Sequence, residues 1–189
     1  VSRLGVIVHE CSSISTLELA WNNFPWGKKD IEGDVIDQAY FCYQVATRTT
    51  NKLELLKWAR EVKQCEWDEK TINKAACKGN LEMLKYCFSN GCPCDVEESC
   101  VQAALGGHLD CLRFLFDKVK PSRKTEKEAA MQAACGGQME ILKYFVDTRK
   151  ISDEVKSDCV GYTTMYGQLD CLKYLVEEAK MPLNHWKYI

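Results

Sequence analysis

The sequence predicts an all-α protein built as a solenoid of helix–turn–helix repeats, and three observations support this prediction. A glycine-led motif recurs as GNLEMLKYC, GHLDCLRFL, GQMEILKYF and GQLDCLKYL, beginning at Gly79, Gly107, Gly137 and Gly167. Its apolar positions follow the helical period, and small residues precede each glycine. The chain of 189 residues holds only 11 glycines and 4 prolines, too few for a turn-rich β architecture.

Each motif predicts the second, amphipathic helix of a repeat. Leu81, Leu84 and Phe88 stand at i, i+3 and i+7, so we expect them to form its buried face. An acid and a base three residues apart, such as Glu82 and Lys85, are expected to pair on the solvent face. The glycines are 28, 30 and 30 residues apart, and a copy without glycine, NKLELLKWA, occupies 51–59. A degenerate trace, LELAW, occupies 17–21.

The first helix of each repeat is predicted from columns of small residues, which let two helices approach closely. These columns are Ala75, Ala103, Ala133 and Thr163, then Ala76, Ala104, Ala134 and Thr164. The glycine after each column suits a tight turn with positive φ. Residues 125–128 (TEKE) resemble a capping box with Thr125 as the N-cap, and residues 95–98 (DVEE) are a variant of it.

These elements divide the chain into three parts. Residues 1–34 are interpreted as an N-terminal cap or degenerate half-repeat, and residues 181–189 as a C-terminal cap or the start of a truncated repeat. Between them, residues 35–180 hold five repeats, at about 35–64, 65–92, 93–121, 122–151 and 152–180. The chain begins at Val1 rather than Met, so we expect a native N-terminus that is missing or processed.

Composition excludes several classes of function. The 25 basic and 27 acidic residues give a net charge of −2, so we expect no nucleic-acid partner. No stretch approaches the roughly 18 apolar residues of a membrane span. The chain shows no phosphate-binding loop, dinucleotide motif or nucleophile–histidine arrangement, so we expect neither a cofactor nor enzymatic activity. A basic stretch at 118–127 is interpreted as a solvated loop, or as one that steers an acidic partner or touches anionic lipid or RNA.

The repeats resemble the ankyrin-repeat family. Residues 103–112 (AALGGHLDCL), followed by Leu115, match the family's A-A-x-x-G-H-L-E pattern, and residues 75–82 and 133–140 match it nearly as well. The resemblance covers roughly residues 35–180. Repeats of 28–30 residues are shorter than the usual length of about 33, and the T-P-L-H signature is absent. The loop GCPCD at 91–95 is similar to that of short ankyrin-like repeats of protist, algal and giant-virus proteins. Shortened or absent β-hairpins are therefore expected.

The resemblance implies protein binding, through the ends of the first helices. The candidate contact residues are Cys77 and Lys78, Leu105 and Gly106, Cys135 and Gly136, and Met165 and Tyr166. Gly106 and Gly136 are expected to face solvent and to leave a smooth surface, while Met165 and Tyr166 are the best anchors. The acid–base pairs of the second helix repeat with little change, whereas these positions vary, and variation is what selects one partner.

The twelve cysteines are interpreted mainly as reduced packing residues, because Cys111 and Cys171 occupy a column that holds Met or Ile elsewhere. A zinc site at Cys87, Cys92 and Cys94 is the sharper alternative, although the second pair of ligands is missing.

The function predicted from these observations is a non-catalytic protein–protein interaction module, acting as a scaffold or as a structural subunit of a larger assembly. Two alternatives stay open: a fragment of an adaptor or substrate receptor that recruits an enzyme, and a cysteine-based metal-binding or redox protein. Unpaired cysteines favour a reducing compartment, either the cytoplasm or an organelle interior after removal of a targeting peptide.

Overall fold

A computed structural model describes residue 8 and residues 10–29, 33, 35–47 and 53–179. In these ranges the chain is all-α, as predicted, and forms no β-sheet; Lys29 and Val35 make one isolated bridge. The chain divides into two compact units, residues 1–95 (unit 1) and residues 96–189 (unit 2). The predicted repeat boundaries stay predictions, and the predicted cap at 181–189 lies outside the described residues.

In the described part of unit 1, the chain forms short helices that pack in neighbouring pairs. They are α1 (Ile14–Asn22), α2 (Gln38–Ala46), α3 (Leu53–Lys57, continued by a π-helical turn, Trp58–Val62), α4 (Glu69–Cys77) and α5 (Leu81–Ser89). Helix α4 contacts both α2 and α5. Aromatic rings fill the space between the first helices: Trp21 lies edge-on to Phe41 and Trp58, with ring centroids 5.1 and 6.4 Å apart.

Unit 2 repeats one helix pair three times. Its helices are α6 (Val96–Leu105), α7 (Leu109–Val119), α8 (Arg123–Cys135), α9 (Met139–Lys143, continued by a π-helical turn, Tyr144–Arg149), α10 (Asp153–Met165) and α11 (Leu169–Lys173, continued by a π-helical turn, Tyr174–Glu178). Helix α8 packs against both α6 and α10, which together make a layer of inner helices. Helices α7, α9 and α11 are the outer helices of the same pairs.

The turn between inner and outer helix is the predicted glycine turn. Gly79, Gly107, Gly137 and Gly167 have φ of +67°, +80°, +67° and +70°. The amide after each glycine bonds back into the inner helix, as when Gln138 donates to the carbonyl of Ala133 at 2.9 Å. Residues with a Cβ are strained at positive φ, which explains why glycine recurs here.

The small residues of the inner helices are buried, as predicted, except Thr164, which is exposed. Ala75, Ala103 and Ala133 are fully inaccessible to solvent, and so are the alanines that follow them. Thr163 is buried as well, and its hydroxyl donates to the carbonyl of Val160 at 2.9 Å. Because these side chains are short, the inner helices of one unit can pack closely.

The predicted buried face of the outer helix is wrong by a fraction of a turn. Leu84 is fully buried, but Leu81 and Phe88 are only half-buried. Met83 and Cys87 are the fully buried neighbours of Leu84. The face toward the inner helices therefore centres on i+2, i+3 and i+6 of the motif, because Leu81 stands at the very start of the helix and lies at its edge.

The predicted N-cap of helix α8 is also wrong. The helix begins at Arg123, and its cap is Ser122, whose hydroxyl accepts from the amide of Thr125 at 3.1 Å. Thr125 lies inside the first turn and is buried. Pro121 directly before Ser122 favours extended backbone and a helix start after it, which moves the cap three residues toward the N-terminus. Helix α6 begins at Val96, directly after Asp95, as the sequence indicated.

The ends of the outer helices differ by one residue between repeats. In the 28-residue repeat, the amide of Cys92 donates to the carbonyl of Cys87, five residues back, at 3.0 Å. In a 30-residue repeat, the amide of Ile151 reaches Phe145, six residues back, at 3.2 Å. The extra residue is taken up by the π-helical turn at Tyr144–Arg149.

Candidate protein-binding surface

The ends of the inner helices expose large apolar side chains in unit 2. Leu105 is 38% exposed, Met165 76% and Tyr166 55%. The glycine turn fixes these positions, because its backbone bonds hold the last inner-helix residues in place. Large exposed apolar side chains at adjacent positions, as at Met165 and Tyr166, are typical of interaction sites.

The candidate residues in unit 1 are of a different kind. Cys77 is half-buried at the end of helix α4, and Lys78, which follows it, is exposed. Lys70 and Lys74 precede Lys78 at intervals of four residues, so one face of helix α4 is basic.

Gly136 does not have the role that the sequence predicted for it. It is half-buried, and a Cβ at this position would lie 2.6 Å from the carbonyl oxygen of Leu105 in the preceding repeat. Glycine is therefore required for close packing between repeats rather than for a smooth binding surface. Gly106 is exposed, as expected.

Glutamines after the glycine turns join neighbouring repeats. The side-chain amide of Gln138 donates to the carbonyl of Leu105 at 2.9 Å, and that of Gln168 donates to the carbonyl of Cys135 at 2.9 Å. Asn80, at the same position of unit 1, instead caps its own helix by accepting from the amide of Met83 at 3.1 Å. The glutamine bonds hold the backbone under two of the candidate residues.

A second tyrosine, which sequence reasoning missed, lies beside Tyr166. Tyr162 is one helical turn earlier in α10, and the two rings stack with centroids 6.5 Å apart and planes 12° apart. The Tyr166 hydroxyl also bonds to the thiol of Cys135. The i, i+4 spacing of the two tyrosines is a signal that the sequence contains. Met165, Tyr166, Tyr162 and Cys135 therefore form one patch, which we call the tyrosine patch.

The solvent face of the outer helices is less uniform than predicted. The expected ion pair is present between Glu82 and Lys85, at 2.8 Å. In other repeats the basic residue lies over the aromatic ring of the next repeat: Lys57 over Tyr86 at 5.7 Å, Arg113 over Tyr144 at 5.2 Å, and Lys143 over Tyr174 at 5.8 Å. These cations therefore stabilise contacts between repeats.

Tyrosines on this face also bond to carboxylates. The hydroxyl of Tyr86 donates to Glu61 at 3.0 Å, and that of Tyr174 donates to Asp147 at 3.4 Å. Burial, followed by the neighbouring carboxylate, raises the pKa of each phenol to about 12.

The basic stretch at 118–127 is partly engaged within unit 2. Lys127 pairs with Asp158 at 2.8 Å, and Lys118 lies over the ring of Phe114 at 5.8 Å. Arg123 and Lys124 are exposed in the first turn of α8.

None of the twelve cysteines forms a disulfide. Nine are buried, while Cys77, Cys94 and Cys135 are half-buried. The thiols of Cys87 and Cys92 contact each other, and this contact and burial raise the pKa of Cys87 well above its ordinary value. Over the described residues, no three His, Cys, Asp or Glu side chains are placed to hold a metal ion. The zinc alternative at Cys87, Cys92 and Cys94 therefore receives no support.

Among the helices that the structure describes, none combines the length and the apolar composition that a membrane span requires.

Comparison with known proteins identifies a family model that matches part of the chain. Residues 100–185 match the family model for ankyrin repeats (3 copies). No curated protein and no solved structure is significantly similar to the chain. The matched segment includes the glycine turns and small-residue columns of unit 2, whose helices pack in neighbouring pairs. Residues 100–185 are therefore ankyrin repeats, as the resemblance implied for this part of the chain.

Proposed function

We propose that the protein is a non-catalytic protein-binding module, acting as a scaffold or structural subunit, and that it binds its partner through the inner-helix ends of unit 2. Ankyrin repeats are in general protein–protein interaction modules and are typically non-catalytic. This general property gives the class of function. The location of the binding surface and the chemistry of the partner depend on the residues of this chain.

The observation that supports the surface is the exposure of Met165 and Tyr166. An exposed methionine and tyrosine at adjacent positions can be desolvated by a partner, and aromatic residues contribute most to binding energy in protein interfaces. Leu105 and Gly106 extend the surface along unit 2. Cys135 and Gly136 lie between them and are half-buried, so they supply shape more than contact area.

The outer helices also support the inner-helix ends as the binding surface, because cations of the outer helices are already engaged within unit 2. Arg113 and Lys143 lie over the rings of following repeats, so their side chains are already used inside unit 2. Lys78 and Cys77 are the corresponding candidate residues of unit 1, and Lys78 offers an exposed charge there.

Site-specific photo-cross-linking tests this proposal. A photoreactive phenylalanine analogue is placed at Tyr166, and the matched control carries it at Glu140, an exposed outer-helix position of unit 2. In native extract, we expect a discrete cross-linked protein from position 166 and none from position 140. Met165→Asp, made in the protein that carries the probe at 166, should abolish the product. A discrete product from position 140 together with none from 166 would place the binding surface on the outer helices instead.

A further inference from the structure

We propose that the tyrosine patch of unit 2 binds a basic peptide segment, and that an arginine side chain of this segment lies on the Tyr162–Tyr166 pair and forms an ion pair with Glu128. This inference deepens the proposed function and depends on it. It specifies the chemistry of the partner, which the family does not.

The first argument is the aromatic pair itself. The stacked rings present a π-surface at the end of helix α10, and Tyr166 is 55% exposed. The equivalent positions of the two preceding repeats are Gln102 with Gly106 and Gln132 with Gly136, so the pair is particular to one repeat. A guanidinium group stacks favourably on such a surface, through its charge and its planar shape.

The second argument comes from the corresponding ring in unit 1. Tyr43 stands at the same position of helix α2 as Tyr162 in α10, and Lys74 of the next repeat lies over its ring at 5.6 Å. In unit 1, the chain itself therefore supplies the cation that lies over the ring of Tyr43. Over the described residues, no lysine or arginine lies over Tyr162 or Tyr166, so in unit 2 a partner can supply that cation.

The third argument is charge. Glu128, on the neighbouring helix α8, is exposed and accepts from the side-chain amide of Gln132 at 3.5 Å, a neutral donor. Among the described residues, no basic nitrogen lies within ion-pair distance of Glu128. Asp158 is also near the rings, but Lys127 already neutralises it at 2.8 Å. Glu128 therefore supplies the uncompensated negative charge beside the aromatic pair.

The surroundings of Tyr162 are consistent with a negative electrostatic potential beside the two rings. Burial first, and then the charges of Cys135, Glu128 and Asp158, raise the pKa of its phenol. Helix α10 also ends here, and the carbonyl end of a helix favours a cation. The side chain of Met165, which is 76% exposed, offers an apolar contact for the methylene groups of an arginine.

Fluorescence anisotropy with defined peptides tests the inference on the full chain. The probes are three labelled peptides of equal length, in which arginines, lysines or glutamates alternate with leucines. We expect the arginine peptide to bind most tightly, the lysine peptide less tightly and the glutamate peptide not measurably. Binding should weaken as salt rises, because an ion pair contributes to it.

Two variants separate the parts of the site. Tyr166→Leu should weaken binding of the arginine peptide about fivefold or more through the loss of stacking, while Tyr166→Phe, which keeps the ring, should retain it. Glu128→Gln should weaken binding and reduce its salt dependence. Glu140→Gln, which removes an exposed carboxylate of the outer helix, is the matched control and should have no effect.

Other outcomes would overturn the inference in distinguishable ways. If the arginine peptide binds equally well to wild type, Tyr166→Leu and Glu128→Gln, the peptide binds elsewhere. If the glutamate peptide binds best, or no peptide binds while position 166 still cross-links a partner, the proposed function stands and the basic chemistry is wrong. If position 140 cross-links a partner and 166 does not, the proposed function fails together with the inference.

Discussion

Leu112 and Leu172 hold the same position in outer helices α7 and α11 but differ in burial, which makes them a sharp test of the packing. Leu112 is fully buried, whereas Leu172 is half-buried. Truncating Leu112 to alanine removes buried carbons worth about 2.4 kcal/mol in transfer free energy, at about 0.8 kcal/mol for each. The remaining cavity raises the expected cost to about 3–5 kcal/mol.

The same truncation at Leu172 should be much milder. About half of the side chain is already in contact with water, so the lost transfer free energy is roughly 1.2 kcal/mol, and water fills the space that remains. The two variants should therefore differ by about 2–4 kcal/mol in the free energy of unfolding. In a chain of this length, such a difference corresponds to about 5–15 °C in melting temperature.

Thermal and urea unfolding followed by far-UV circular dichroism measure both variants beside wild type. Leu112→Ala should unfold at clearly lower temperature and urea concentration than Leu172→Ala. Equal and small effects at the two positions would show that Leu112 is not part of the core, and the packing described for unit 2 would be wrong.

Three further predictions follow from the structure. Gly136→Ala should destabilise the protein by about 1–3 kcal/mol, measured by urea unfolding, because the new Cβ meets the carbonyl of Leu105; a gain in stability, as expected for alanine in an open helix, would contradict this packing. Few of the twelve thiols should react in the native state and close to twelve after denaturation without reductant, since most are buried and burial raises the pKa of Cys159 to about 12; a near-zero count after denaturation would instead indicate disulfides. Because the pKa of Tyr86 and that of Tyr174 are raised to about 12 in the folded state, the stability that they contribute should be complete below about pH 10 and lost as pH rises from about 10 to 12; tyrosinate absorbance that shows every tyrosine ionising at its ordinary pKa would refute this.

The features that the sequence predicted well are those that depend on a single residue type. Positive φ at the turn restricts the choice to glycine, so Gly107 and its equivalents marked the turns correctly. Close approach of inner helices requires small side chains, so Ala103 and Ala133 marked the buried columns.

The features that sequence reasoning missed depend on contacts between repeats. Leu81 and Met83 are both apolar and lie about half a helical turn apart. The apolar pattern alone therefore does not show that Met83, and not Leu81, is central in the core. The packing role of Gly136 and the bond from Gln138 to Leu105 depend on the neighbouring repeat, which spacing within one repeat does not describe. The candidate surface was only partly predicted: Met165 and Tyr166 were identified from their position, whereas the ring stack with Tyr162, indicated only by the i, i+4 spacing, was missed.

The cation placed over the ring of the following repeat has a consequence for how such an array can change in length during evolution. Within unit 2, both junctions between repeats place a base over a ring, as Arg113 meets Tyr144 and Lys143 meets Tyr174. Since these two junctions use the same two chemical groups, duplicating or deleting a whole repeat of unit 2 recreates a complementary junction at the splice. Gene rearrangements in units of one repeat would therefore be tolerated far better than insertions or deletions of other lengths, which separate the base from its ring.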